Sequence, residues 1–133
     1  MIALLIVSHG TMCEHLLKSA EMICGPQENV ATVCLTPEDG QESYQAKMEA
    51  AIASLDAKDG LLVLGDLFGG TPCNVTCSLS RQYPYHAIVG ANLPMMLEVL
   101  TNRDCTTVEE LADMAEAAGK AGVVNLLKKL AEQ

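Results

Sequence analysis

A histidine and an aspartate each stand where an apolar run stops. The stretches Leu4-Leu5-Ile6-Val7-Ser8-His9-Gly10-Thr11 and Leu64-Gly65-Asp66-Leu67-Phe68-Gly69-Gly70-Thr71-Pro72 share one pattern. Apolar, partly β-branched residues too short for a helix lead to an ionisable side chain, then glycine, then a residue suited to starting a helix. Both read as strand, turn, helix. A neutral imidazole is a nucleophile, and a carboxylate beside it can hold the proton on one ring nitrogen while the other attacks. The N–H groups of a helix start are unpaired and favour negative charge, so His9 and Asp66 beside two such starts suit a phosphoryl group.

Other residues qualify in lesser ways. Gly69 and Gly70 alone would be an ordinary turn, but followed by Thr71-Pro72 and a helix they become a plausible anion nest, with Gly10 and Thr11 as its counterpart after His9. Asn74 and Asn92 read first as helix caps and second as extra donors to the site. His15 falls on the exposed side of the first helix, and His86 begins an interior strand. Neither completes a metal triad with His9. Cys73 and Cys77 share a helix face at i, i+4, a spacing read as thiol burial before metal binding. Met95-Met96 reads equally as core or as an adaptable rim, because the loop from Gly90 to Pro94 also follows a strand.

Ile2 to Val7, Val30 to Leu35, Leu61 to Gly65 and His86 to Gly90 read as strands. Thr11-Met12-Cys13-Glu14 has the form of a capping box opening a first helix, with Leu16, Leu17, Ala20, Ile23 and Cys24 inward and Gly25-Pro26 at its end. A second helix spans about Gln41 to Leu55. A third takes Thr71 as N-cap and Pro72 in its first turn, with Val75 and Leu79 buried. Asn92-Leu93-Pro94 opens a fourth, and the box Thr107-Val108-Glu109-Glu110 a fifth that runs to Gly119. The segment from Ala121 to Leu130 fits a short strand or a helix. Strands alternating with helices predict an α/β fold, a doubly wound parallel sheet in which strands one and three meet at a switch point where ligands bind.

The 133 residues are half apolar but only 3% aromatic, which suits one domain with a core of Leu, Val, Ile, Ala and Met. Seventeen acidic against eight basic side chains give a net charge of −9, with no basic run longer than Lys128-Lys129, which argues against nucleic acid. Of six cysteines, Cys13, Cys24, Cys34 and Cys77 fall at expected apolar helix or strand positions. With no CxxC pair, no basic leader and no membrane-spanning run, the expectation is a cytoplasmic chain with reduced thiols.

Three motifs in order, Ser8-His9-Gly10, then Asp66 to Pro72 with Asn74, then Gly90-Ala91-Asn92-Leu93-Pro94-Met95, make the chain resemble the IIA component of the mannose family of the bacterial phosphoenolpyruvate-dependent sugar phosphotransferase system. The resemblance runs nearly end to end and makes residues 1–133 one such domain. It implies a phosphotransferase in which His9 accepts a phosphoryl group on Nε2 from phospho-HPr and passes it to a histidine of a IIB component, while Asp66 contacts the ring. The membrane components IIC and IID then couple sugar uptake to phosphorylation, so peripheral association with them is possible. It also implies a homodimer of four-stranded sheets, each receiving a short antiparallel strand from the partner's carboxyl tail, which places a strand around Gly122 to Leu127. Many relatives join IIA to IIB in one chain; here IIB is expected to be separate. No cofactor is implied. Gly10, Thr11, Gly69, Gly70 and Thr71 would hold the phosphoryl oxygens, and Ser8, Phe68, Asn74, Asn92, Leu93 and Met95 would support the site or its docking face.

The main rival is the small cobalt or nickel chelatase of tetrapyrrole synthesis, which also opens with a strand ending in His-Gly. It needs a later second histidine, and none follows His86. Histidine phosphatases place arginine before His-Gly; here Ser8 stands there, and Arg81 and Arg103 are the only arginines. A phosphorylatable regulatory domain of a transcription activator is chemically close, but no DNA-binding or ATPase segment accompanies this one.

Overall fold

Ile2 to Ser8 are all buried, so β1 (Ala3–His9) is covered on both faces and must be a central strand. In the computed structural model, which describes residues 1–133, β1 lies between β2 (Val30–Leu35) and β3 (Leu61–Gly65), and β4 (His86–Val89) forms the far edge. All pairings are parallel, with His9 opposite Leu35 on one side and Val7 opposite Gly65 on the other.

Alternation along β1 divides the core. Ile2, Leu4 and Ile6 pack with α1 (Met12–Cys24), α4 (Leu93–Asn102) and α5 (Val108–Ala121). Ala3, Leu5 and Val7 pack with Tyr44, Met48 and Ile52 of α2 (Gln41–Ala53) and with Val75 and Leu79 of α3 (Gly70–Leu79). The helix after β1 therefore leaves toward one face and the helix after β3 toward the other. Because β1 and β3 are neighbours, this is the expected switch point. No helix is long and apolar enough to cross a membrane.

Several local expectations are corrected. Thr11 makes no side-chain cap on α1; the N–H of Cys13 is taken by the Ser8 hydroxyl instead. Ile23 is exposed, and Cys13 joins Ala20 on the buried stripe. Gly69, not Thr71, occupies the N-cap position of α3. Cys73 is buried, but Cys77, expected at an apolar helix position, is exposed. Thr107 caps α5 by accepting from the Glu110 N–H, but the Glu110 carboxylate turns to the Thr106 hydroxyl instead of closing the box. Helix α5 runs through Gly119 to Ala121 because Gly119 sits against α4; a Cβ there would lie 2.6 Å from Met95 Cε.

The expected strand over 122–127 does not form in the single chain. Residues 122–125 lack regular structure, and α6 (Leu126–Ala131) follows, capped by Asn125 accepting from the Lys128 N–H. An isolated strand has no ladder for its polar backbone, whereas a helix turn satisfies it locally. Val123, Val124, Leu126, Leu127 and Leu130 stay exposed.

At the amino ends of the strands lies Arg103, buried to 2% exposure. Its guanidinium donates to the carbonyls of Ile2, Glu28 and Asn29 and to Gln27 Oε1, tying β1 and β2 to the end of α4. Burial lowers its pKa, while Asp104 and Glu28 act the other way. Arg103→Met keeps an apolar stem but leaves these acceptors without their donor. It should cost about 2–4 kcal/mol in urea unfolding; a loss below about 0.5 kcal/mol would show that the carbonyls find other donors.

Candidate functional site

His9 ends β1 and Asp66 follows β3, so neighbouring strands bring together side chains 57 residues apart in sequence. Asp66 Oδ2 accepts both from the His9 backbone N–H and from its ring Nδ1, each at 2.8 Å, while Oδ1 accepts from the Leu67 N–H at 2.9 Å. One carboxylate thus holds the backbone and the ring of the same residue. A ring nitrogen facing a carboxylate carries the proton, which leaves the lone pair of the neutral imidazole on Nε2.

The pair is asymmetric in exposure, with the His9 side chain 45% accessible and that of Asp66 7%. Burial pushes the Asp66 pKa up, but the donors from His9 and Leu67 outweigh it and hold the carboxyl below its ordinary value.

Nε2 lies against Gly70. A Cβ on Gly70 would stand 2.8 Å from Nε2 and 2.7 Å from Cε1, and the residue has φ +80°, so both space and backbone call for glycine. Gly70 and Thr71 open α3, and their N–H groups have no acceptor within the helix. Gly69 supplies no side-chain cap, leaving this helix start uncovered beside the imidazole.

Other expected residues are placed differently. The Gly10 N–H already donates to Leu35 O at 2.8 Å, so it is not free to bind an anion. Thr11 is exposed at the start of α1, and Asn74 is exposed on α3. Asn92 caps α4 through the Met95 N–H and donates to Gly119 O, which is structural work. Met95 is core and Leu93 packs against it, so of the apolar residues expected to support the docking face only Phe68, 88% exposed, is available. Leu67, next to Asp66, and Met12, the first residue of α1, are also exposed. Sequence reasoning gave neither a role, although Met12 directly follows the first motif and Leu67 lies within the second.

His15 is exposed on α1, and His86 pairs with Leu62 toward the far end of the sheet. Arg103 is also at that far end, so it cannot grip a group on His9. Cys13 and Cys34 have their sulfurs 3.6 Å apart; burial and then the neighbouring Cys13 push the Cys34 thiol up to about 12, which makes it a poor nucleophile at neutral pH. All six cysteines are free, and no group of three or more His, Cys, Asp or Glu could hold a metal ion.

Because folding lowers the Asp66 pKa, its ionised form adds stability above the unfolded carboxyl pKa of about 3.9, and this is lost as pH falls through the folded value. The gap in melting temperature between wild type and Asp66→Asn should be full at pH ~7 and shrink below pH ~4. A gap independent of pH would show that the carboxylate's charge is not what stabilises.

Residues 3–116 match the family described as the PTS system fructose IIA component, EIIA-man. The mannose-specific EIIAB component of Escherichia coli K12 is 38% identical over 99% of this chain, which spans 42% of that relative's length. A phosphotransferase system EIIA component from Streptococcus agalactiae superposes with a TM-score of 0.87 at 30% identity, covering 96% of this chain and 99% of the other. A mannose/sorbose-specific IIA subunit from Enterococcus faecalis does so at 0.85 with 36% identity and 93% coverage of each. With this fold, and with the histidine and aspartate meeting at the switch point, the chain belongs to the mannose-type EIIA family of phosphotransferase system components.

Proposed function

We propose that this chain is a phosphocarrier in which His9 accepts a phosphoryl group from phospho-HPr and passes it to a histidine of a IIB component. The observation that carries this is the double hold of Asp66 on His9, which presents Nε2 at the uncovered start of α3. Nε2 attacks phosphorus in line, a new N–P bond forms, and the N–P bond to the donor imidazole breaks. The proton on Nδ1 stays in place, and the Asp66 carboxylate balances the positive charge developing on the ring. The N–H groups of Gly70 and Thr71, with the Thr71 hydroxyl, are the donors best placed for the phosphoryl oxygens. Transfer onward reverses the same steps.

Partner proteins must dock over His9 and exclude water. Phe68, Leu67 and Met12 form an apolar rim suited to that, and at −9 net charge an apolar contact is a better anchor than a field of charges. IIB passes the phosphoryl group to the sugar that the IIC and IID membrane components take up, which makes the chain a cytoplasmic partner of a sugar transporter. Residues 1–133 form one IIA domain in this reading.

The carboxyl tail points to a homodimer. The edge of β4 borders a groove of about 460 Å³ lined by Ile88, Val89, Asn92, Met95, Gly119 and Val123, and five large apolar residues of the tail lack cover. Strand addition by a partner's tail would pair that edge and bury those side chains. Light scattering should find a dimer for the whole chain and a folded monomer when residues 122–133 are removed. A monomeric full chain would remove the swap.

The primary test is incubation with phosphoenolpyruvate, enzyme I and HPr. One acid-labile, base-stable phosphoryl group is expected by intact mass, absent in His9→Ala. A folded wild-type chain that stays unmodified by active donors would overturn the carrier reading.

A further inference from the structure

We infer that Ser8 is a positioning residue for His9: its buried hydroxyl fixes the turn that presents the imidazole, and it acts through Gly10 and the first turn of α1. This rests on the carrier reading and deepens it. In β1 the inward row toward α1 runs Ile2, Leu4, Ile6, and the next position is Ser8, where alternation calls for another apolar residue. Ser8 is 1% exposed. Thr76 and Arg103 are the other buried polar side chains; Thr76 bonds back within its own helix, and Arg103 is at the opposite end of the sheet.

The hydroxyl is fully used. Its oxygen accepts the Cys13 N–H at 2.8 Å, and its proton goes to Gly10 O at 3.1 Å. These two bonds reach both sides of the turn through His9, Gly10 and Thr11. The first would ordinarily fall to the N-cap, but Thr11 has φ −86° and ψ 8°, outside the extended geometry from which a cap side chain reaches the first turn. Ser8 caps the helix from outside it.

The second bond pins the residue least able to hold its own shape. Gly10 has φ +57°, its N–H is tied to Leu35 O, and the Ser8 hydroxyl holds its carbonyl. With Asp66 on the His9 N–H, the backbone on either side of the nucleophile is then fixed at three points. Without Ser8 the Gly10 carbonyl and the Cys13 N–H lose their partner, and the turn can relax in its glycine. The contact between Nε2 and Gly70 tolerates little of this, because a shift of about 1 Å can cost ~100-fold in a transfer reaction.

The test uses the whole chain and two donors, phospho-HPr and phosphoramidate, the latter needing no protein docking. Ser8→Ala should remain folded and accept phosphoryl groups roughly 10- to 100-fold more slowly from both. Ser8→Thr and Ser8→Val, matched in size, should separate, with the hydroxyl-bearing variant recovering most of the rate. That pair also serves if Ser8→Ala does not fold. ¹⁵N NMR of the His9 ring should show the Nδ1–H form held in wild type and Ser8→Thr, and averaged with the other tautomer in Ser8→Val. This ring readout stands even if the wild-type chain accepts no phosphoryl group, the result that would sink the carrier reading instead. Equal rates and ring signals in the Thr and Val variants would overturn the role of Ser8. So would an equal slowing in Arg103→Met, a destabilised control at the far end of the sheet.

Discussion

The hold of the Asp66 carboxylate on His9 is the contact on which the site depends, and it exists because β1 and β3 lie side by side. One oxygen takes both the backbone N–H and the ring N–H of His9, so the strand end and the side chain cannot move independently. The bond to the Leu67 N–H on the other oxygen fixes the carboxylate in its own loop. If helix α2 had crossed to the other side of β2, β3 would lie away from β1 and no rotamer would join the pair. The sheet order β2-β1-β3-β4 is thus what brings the pair together.

Everything around the pair either holds it or leaves it accessible. The seven-residue strand β1 is enclosed up to Ser8, and then two exposed residues, His9 and Gly10, emerge at its end. Below them the core is aliphatic and tightly interleaved. Above them the loop residues Leu67 and Phe68 project into solvent. Large apolar side chains left bare beside a histidine would be a liability in a protein that works alone, and suit one that meets partners briefly over that histidine. The net charge of −9 opposes non-specific association through them.

The two ends of the sheet are stabilised by different means. At the amino end, Arg103 gathers three carbonyls from two segments with one buried guanidinium. At the carboxyl end, the Ser8 hydroxyl donating to Gly10 O and the Asp66 carboxylate accepting from the His9 N–H hold turns built on glycine, which lets backbone approach the imidazole as no other residue could at Gly70. The carboxyl tail belongs to neither end. Its helix α6 leaves Leu126, Leu127 and Leu130 exposed.

By itself the sequence determined the order of strands and helices and the parallel sheet, and it put His9, Asp66, Gly70 and Thr71 at strand ends and a helix start, because each rests on local pattern. Apolar runs of strand length end at an ionisable residue, and glycine precedes a helix start. What depends on long-range packing had to come from the tertiary structure. Thr11 and Ser8 lie three residues apart, and pattern favours the first as a cap, yet burial beside α1 gives the bond to the second. Pattern ends α5 at Gly119, but that glycine is required by Met95 of another helix. Gly10 looks like a free donor until Leu35 is placed opposite it. In each case a polar group or a glycine has a local role available and a distant partner that overrides it, and only the closed fold brings that partner within hydrogen-bonding or contact distance.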